Sequence, residues 1–293
     1  MTSDESIPEW FSRAIAAPWA EDGLAVDESP VVFRCWGDRS KPGVVLVHGD
    51  GAHSHWWDHV GPYLAQDSFV VALDLSGHGD SGRRDSYSLQ IWAQEVVAVV
   101  RGLAHASIPP IVVGHSTGGH VGVISAAILG DQLGGLVLLE SAIREMPSES
   151  NDVRRGVFGR AKVYPTQAAA RERFRPWPDS PGALPYVLDH ISLTSLQAVQ
   201  EGWSWKFDPK IAIRPDQVVL TDLEGVVSRV AMIGAEFGLL TEEVSRQIRS
   251  RLDPGVSFTG ILGAHHHVML DQPLQLIATL RTVVSAWRNG PRQ

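Results

Sequence analysis

Residues 111–119 read Ile-Val-Val-Gly-His-Ser-Thr-Gly-Gly, and this stretch decides the fold. Its first three residues are apolar and β-branched, which predicts a buried strand, and residues 117–129 show helical periodicity. The pentapeptide between them is a G-x-S-x-G motif in the strand–turn–helix context that this motif requires. We therefore expect a sharp turn that lifts Ser116 above the sheet, with glycines that let the strand and the helix approach closely.

Other short apolar runs recur along the chain and alternate with helix-like stretches. They cover residues 43–47, 69–73, 136–139, 230–234 and 256–262. Continuous runs rich in Val, Ile and Leu are typical of parallel strands that are buried on both faces. Helical periodicity over residues 88–104 and 273–287 supplies crossover helices. The pattern predicts a doubly wound α/β fold with a mostly parallel sheet.

Residues 143–217 break this rhythm. The segment is rich in proline and holds eight aromatic residues, with no strand–turn–helix unit. We expect a helical cap, or lid, inserted over a core domain that comprises residues 1–142 and 218–293. A plain linker is the alternative, but the aromatic residues favour a packed element.

Composition and charge narrow the class of protein. Hydrophobic residues make up 44% of the 293 residues and charged residues 20%, as in an ordinary globular protein. A net charge of -8 argues against nucleic acid as the main partner, since phosphate binding needs a basic face. The single cysteine, Cys35, excludes an internal disulfide. Without an apparent signal peptide or a long apolar run, we expect a cytoplasmic protein, monomer or homodimer, that binds a small molecule and no membrane.

A serine hydroxyl needs a base within hydrogen-bond reach to become a nucleophile. His265, His266 and His267 follow the last apolar run, on a loop at the sheet edge where Ser116 is expected. A solvated histidine-rich loop and a metal site are the alternatives. Adjacent residues project in different directions, and no cysteine or paired carboxylate pattern supports a metal, so we expect neither a metal nor another cofactor.

Together these features resemble the α/β-hydrolase superfamily over nearly the whole chain. The matching motifs lie at residues 47–51, 74–81, 114–119 and 264–273. The resemblance implies an eight-stranded sheet, a catalytic base at His266 with His267 as second choice, and an oxyanion hole. The hole would consist of the backbone N–H groups of Asp50 and Thr117. An acidic side chain at Asp50 is unusual beside a developing negative charge, although only its N–H is required.

The catalytic acid has two candidates. Most of the superfamily carries it after the seventh strand, where Glu236 stands one residue early. A minority, including some haloalkane dehalogenases and zearalenone lactonases, carries a glutamate after the sixth strand, where Glu140 follows four apolar residues. Burying a carboxylate there costs heavily unless it is paired, for instance by His266. We predict Glu140 as the acid and keep Glu236 as the alternative.

The resulting hypothesis is a serine hydrolase that cleaves an ester or a lactone of a bulky hydrophobic molecule through an acyl-enzyme. Gly49, Trp56 and Trp203 are expected to line its substrate pocket. A carbon–carbon bond hydrolase or a perhydrolase on the same triad is the first alternative. A ligand-binding protein that retains the triad is the second. Haloalkane and epoxide hydrolysis is disfavoured, since those branches use an aspartate nucleophile where Ser116 stands.

Overall fold

The structure, a computed structural model, describes residues 7–103, 108–145, 151–158, 160, 162–214, 216–252 and 255–290. Three sequence features lie outside this part of the chain: the N-terminal hexapeptide, the last residue of the helix predicted over 88–104, and Pro147.

Within the described residues, eight strands form one sheet in the order β1-β2-β4-β3-β5-β6-β9-β10. They are β1 (Ala20–Val26), β2 (Ser29–Trp36), β3 (Gly43–Val47), β4 (Phe69–Leu73), β5 (Ile111–His115), β6 (Gly135–Leu139), β9 (Val230–Phe237) and β10 (Ser257–His265). The pairings of β1 with β2 and of β2 with β4 are antiparallel, and the remaining pairings are parallel. All six runs expected from the sequence are strands of this sheet, as predicted.

The central strands are buried on both faces. Every residue of β3, β4, β5 and β6 is buried. Because successive side chains of a strand point to opposite faces, Val45 and Val47 pack into one hydrophobic cluster while Val44 and Leu46 pack into the other. This two-sided burial explains why the strands read as unbroken apolar runs.

Helices cover both faces of the sheet. They are α1 (Glu9–Ile15), α2 (Gly61–Leu64), α3 (Leu89–Gly102), α4 (Thr117–Leu129), α8 (Glu242–Arg249), α9 (Val268–Asp271) and α10 (Pro273–Asn289). The side chain of Ser88 caps α3 by accepting a hydrogen bond from the N–H of Ile91, which satisfies one of the helix's free amides. None of the helices in the described ranges has the length and apolar character needed to cross a bilayer.

The segment between β6 and β9 contains both helices and strands. Its elements are α5 (Asn151–Phe158), α6 (Gln167–Arg171), α7 (Pro185–Thr194), β7 (Leu196–Val199) and β8 (Gly202–Trp205). β7 and β8 form an antiparallel hairpin. The segment therefore contains β-structure in addition to the helices that the sequence predicts. Gly202 begins β8 with φ 140°, a backbone conformation that residues with a side chain rarely adopt, so the turn of the hairpin favours glycine here.

Candidate active site

Ser116 occupies the turn between β5 and α4. Its backbone has φ 53° and ψ -121°, a conformation that a residue with a side chain rarely adopts. The neighbouring strand stabilises the turn, because the N–H of Ser116 donates to the carbonyl of Leu139 at 2.9 Å and its carbonyl accepts from the Ser141 hydroxyl at 2.9 Å. Strain of this kind is kept only where the surroundings over-determine it, and it concentrates at functional sites.

Two glycines permit this turn. A Cβ added at Gly114 would lie 2.3 Å from the carbonyl oxygen of Gly118, and one added at Gly118 would lie 2.5 Å from the carbonyl oxygen of Val47. Both positions therefore require glycine because backbone, which cannot move aside, occupies the space. The result is the close strand–helix approach expected from the motif.

Three side chains form a hydrogen-bonded chain at this turn. His266 lies with its Nε2 3.0 Å from the Oγ of Ser116 and its Nδ1 3.1 Å from Oε2 of Glu140. Glu140 is completely buried and His266 is nearly so. Since a carboxylate can only accept hydrogen bonds, Nδ1 of His266 carries the proton and donates a hydrogen bond to Glu140. The lone pair of Nε2 therefore faces the serine hydroxyl. This is the arrangement of a nucleophile, its base and an orienting acid.

Backbone amides hold the Glu140 carboxylate in place. Oε1 accepts from the N–H of Ala235 at 2.7 Å and from that of Leu240 at 3.4 Å, and Oε2 accepts from the N–H of Leu239 at 2.7 Å. Gly238 makes room for this contact, because a Cβ there would lie 2.2 Å from Oε2. The loop after β9 thus closes around a carboxylate that is supplied by the end of β6.

Glu236, the alternative acid, lies elsewhere. Its side chain is exposed at the end of β9 and its Oε2 accepts from the N–H of Gly263 at 2.8 Å. No hydrogen bond joins it to His266 among the contacts of the described residues. Phe237, which follows it, is 61% exposed and packs its ring 5.2 Å from that of His265.

The other two histidines of the triple have separate partners. His265 Nδ1 bonds Oδ2 of Asp271 at 3.0 Å, and His267 Nε2 bonds the carbonyl of Pro178 at 3.1 Å. Burial, reinforced by the neighbouring His266, lowers the pKa of His267 to about 3, so it is neutral at pH 7. His267 therefore contacts the segment between β6 and β9, and not the serine.

Among the described residues, two groups of side chains could hold a metal ion. His115, His266 and His267 have ligand nitrogens within 4.8 Å of one another, so the expectation that adjacent histidines diverge is wrong for His266 and His267. A metal there would compete with Ser116 and Glu140 for the nitrogens of His266.

The second group consists of His55, Asp58 and His190. Arg34 lies against it, with Nε 3.1 Å from Oδ1 of Asp58 and Nη1 3.1 Å from Nε2 of His55. This guanidinium already supplies the positive charge that a metal would bring.

The loop after β3 lies against the nucleophile. A Cβ added at Gly49 would lie 3.1 Å from the Cβ of Ser116, so the backbone at Gly49 passes close to the nucleophile. Asp50 is the next residue along this loop. His48 fixes this loop: its Nδ1 donates to the carbonyl of Gly49 at 2.8 Å and its Nε2 accepts from the N–H of Leu75 at 3.1 Å. Thr117 begins α4, where the first N–H groups of a helix have no intrahelical acceptor.

The Asp50 carboxylate is paired with a cation that comes from far along the chain. Its Oδ1 accepts from Nη1 of Arg214, and both side chains are largely buried. Burial alone would raise the pKa of Asp50, but the Arg214 guanidinium outweighs it and, with a hydrogen bond from Thr117, holds that pKa below its usual value. The ion pair offsets the negative charge that looked out of place in the sequence.

Comparison with known proteins decides the family. A sequence model described as "Alpha/beta hydrolase family" matches residues 44–280. The chain belongs to the alpha/beta hydrolase family. The predicted superfamily, the mostly parallel eight-stranded sheet and the expectation of a hydrolase are confirmed.

Several individual alpha/beta hydrolases are similar over most of the chain. Esterase Rv0045c of Mycobacterium tuberculosis is 26% identical, over 97% of this chain and 99% of that protein. Lipase LipV of the same organism is 25% identical, over 88% and 97% respectively. The solved thioesterase domain from the curacin biosynthetic pathway superposes with a TM-score of 0.76 at 22% identity, over 92% of this chain and 99% of that one.

This alpha/beta hydrolase has one cavity at the Ser116 turn and another at Asp50, on the loop after β3. The first, which we call the arginine cavity, has a volume of about 290 Å³ and opens on Ser116 and Thr117. Its wall includes Arg144, Arg154 and Arg214. In the sequence, the only signal of these three residues is the abundance of arginine after residue 143.

The second, the aromatic cavity, has a volume of about 300 Å³ and includes Asp50 in its wall. Trp56 lines it, whereas Trp57 is fully buried in the core. Trp205, and not the predicted Trp203, supplies the indole of β8 to this cavity. Its other aromatic residues are Phe158, Tyr164, Phe174, Trp177 and Phe207, all from the segment between β6 and β9.

Proposed function

We propose that this protein is a serine hydrolase that cleaves a carboxylic ester or a lactone through an acyl-enzyme. The observation that carries the proposal is the hydrogen-bonded chain from Ser116 Oγ through His266 to Glu140, with distances of 3.0 and 3.1 Å. Two relatives of nearly full coverage that are named an esterase and a lipase support it.

In the first half of the reaction, Ser116 Oγ attacks the carbonyl carbon while Nε2 of His266 removes the hydroxyl proton. The carbonyl oxygen becomes an oxyanion, which the N–H groups of Asp50 and Thr117 stabilise together with the positive end of α4. Glu140 keeps the imidazole oriented and stabilises the imidazolium without taking its proton. His266 then protonates the departing alcohol oxygen, and the acyl group remains on Ser116.

The second half reverses these roles. Water occupies the place of the alcohol, His266 Nε2 removes one of its protons, and the resulting hydroxide attacks the acyl carbon. Collapse of the second tetrahedral intermediate returns the proton to Ser116 Oγ and releases the carboxylic acid. Arg214 matters in both halves, because it offsets the charge of the Asp50 carboxylate beside the oxyanion.

We further propose that residues 143–217 act as a cap that selects the substrate. The aromatic cavity is built jointly from core residues such as Trp56 and from the aromatic residues of this segment. A hydrogen bond between His267 and the carbonyl of Pro178 ties the cap to the loop that carries the base. The aromatic side chains of this wall favour a bulky apolar or aromatic part of the substrate. The wall also carries basic residues, which are Arg160, Lys162, Arg173, Arg175 and Lys206.

The proposal is tested with a panel of p-nitrophenyl esters and aromatic lactones, assayed with wild type and with Ser116→Ala. We expect wild type to release nitrophenol with an initial burst, and Ser116→Ala to lose at least about a thousandfold of kcat. Ser40→Ala, at an exposed position, is the matched control and keeps wild-type rates. A fluorophosphonate probe should add its mass to the peptide that contains Ser116.

Three outcomes would overturn the proposal. Turnover that survives Ser116→Ala would exclude the acyl-enzyme. A wild-type protein without turnover and without covalent labelling across the panel would favour the alternative of a ligand-binding protein that retains the triad. If esters are not hydrolysed but the protein cleaves a carbon–carbon bond or forms a peracid, a carbon–carbon bond hydrolase or a perhydrolase would be favoured.

A further inference from the structure

The arginine cavity concentrates positive charge next to the proposed nucleophile. Arg144, Arg154 and Arg214 all line a space of about 290 Å³ that also exposes Ser116. The whole chain is acidic, with a net charge of -8, so this grouping is not a sample of its average surface. Arg154 and Arg214 are each about 5% exposed or less, and both interact with other groups of the protein, whereas Arg144 is partly exposed.

The carboxylates in the cavity wall have other partners. The oxygens of Glu140 accept from three backbone N–H groups and from His266. The two oxygens of Asp216 accept from the first N–H groups of α3, those of Leu89 and Gln90, at 2.9 Å each. Neither carboxylate forms an ion pair with Arg144 among the contacts of the described residues.

The arginines differ in how far they are engaged. Arg214 binds Asp50, as described above. Arg144 follows β6 and, unlike Arg154 and Arg214, is partly exposed. His120, also in the wall, does not add charge: burial and then the guanidinium of Arg214, with Arg154 nearby, lower its pKa to about 4. Arg144 is therefore the residue best placed to meet an incoming anion.

We propose that the arginine cavity binds a carboxylate of the substrate, so that the preferred ester carries an anionic group a few bonds from its scissile carbonyl. This inference rests on the proposed function and names its substrate class. The planar guanidinium fork matches a carboxylate with two parallel hydrogen bonds. The cavity is small by the standard of ligand pockets, which fits a short dicarboxylic half-ester whose apolar alcohol part occupies the aromatic cavity.

A matched pair of substrates isolates the charge. p-Nitrophenyl hydrogen glutarate and p-nitrophenyl pentanoate share the leaving group and the chain length, and differ in the terminal carboxylate. We expect wild type to favour the glutarate by at least about tenfold in kcat/KM, and Arg144→Gln to lose about tenfold on the glutarate while staying within about twofold on the pentanoate. The glutarate rate should also fall with added salt more steeply than the pentanoate rate.

Two further variants interpret a loss. Arg101→Gln removes the same charge from an exposed position on α3 and should leave both rates unchanged. Arg144→Lys keeps the charge but not the fork, and should recover only part of the preference. A wild type that prefers the pentanoate, or an Arg144→Gln variant that slows both esters equally, would overturn the inference.

A binding experiment separates this inference from the proposed function. Calorimetric titration of glutarate into Ser116→Ala should give a Kd that Arg144→Gln weakens about tenfold. Such binding in a protein that hydrolyses no ester would refute the proposed function and leave the anion site standing. If the enzyme hydrolyses esters but shows no binding of glutarate at concentrations up to about 10 mM, roughly the weakest affinity of practical interest, the anion site alone would be refuted.

Discussion

Replacing Glu140 with glutamine tests the acid assignment with the smallest change of shape. An amide nitrogen then stands at one of two carboxylate positions. At the Oε1 position it would face the N–H groups of Ala235 and Leu240, and at the Oε2 position the N–H of Leu239 and Nδ1 of His266. In either orientation a buried donor meets another donor.

The magnitude of the effect follows from these contacts. A buried N–H left without its acceptor costs about 1–3 kcal/mol, so the variant should remain folded but melt several degrees lower. The loss of kcat should be larger, about a thousand- to ten-thousandfold, because the carboxylate no longer fixes the tautomer of His266 or stabilises its positive form. KM should change little, since Glu140 does not face the apolar part of the substrate.

The assay is ester hydrolysis at saturating substrate, paired with thermal unfolding of the same samples. Glu236→Gln is the matched control, because it makes the same chemical change at an exposed carboxylate. It should keep kcat within about twofold. A folded Glu140→Gln variant that retains more than a tenth of wild-type kcat, or a large loss in Glu236→Gln, would refute the assignment of Glu140.

Two more predictions follow from buried charges. Arg214→Met leaves the Asp50 carboxylate buried without its cation, so stability should fall by about 3–5 kcal/mol and ester hydrolysis should slow; adding Asp50→Asn should restore much of both, measured by Tm and by kcat on a neutral ester. The free energy of unfolding should also fall as the pH drops from about 6.5 to about 4. In this range the histidines are protonated in the unfolded chain but stay neutral when buried in the folded protein, and each such histidine lowers the free energy of unfolding by about 1.4 kcal/mol per pH unit. Burial is the main cause of the lowered pKa, about 3 to 4, of His48, His59, His78, His120 and His267.

Each of these predictions has a result that contradicts it. A double variant no more stable and no more active than Arg214→Met would mean that Asp50 is not what the arginine serves. For the pH dependence, urea unfolding at several pH values gives the free energy directly. A free energy that stays constant or rises between pH 6.5 and pH 4 would contradict the neutral, buried state of these histidines.

The sequence was most informative where contacts are local or where burial is complete. The elbow at Ser116 is contiguous in sequence, and strands such as β3 and β5 are buried on both faces, so both are legible as short patterns. β1 and β2 were not predicted as strands from the pattern of apolar runs. β1 lies at the sheet edge and exposes every other residue or more, so its pattern alternates and includes acidic residues.

Contacts between distant residues were out of reach of pattern reading. Asp50 and Arg214 are separated by 164 positions, and nothing local to either residue indicates the other. The prediction of Trp203 as a pocket residue had a related limit. Trp203 and Trp205 lie two residues apart on β8, and only the packing of the hairpin places Trp205 in the wall of the aromatic cavity. The geometry of His266 against Glu140 likewise depends on the loop after β9, which the pattern of residues alone did not define.

The Asp50–Arg214 ion pair also joins two separate parts of the chain. Arg214 lies at the far end of the segment between β6 and β9, whereas Asp50 lies on a core loop. Separating these two parts would leave a buried carboxylate without its cation, at a cost of about 3–5 kcal/mol. The pair therefore fastens the segment to the core at the loop that lies beside Ser116.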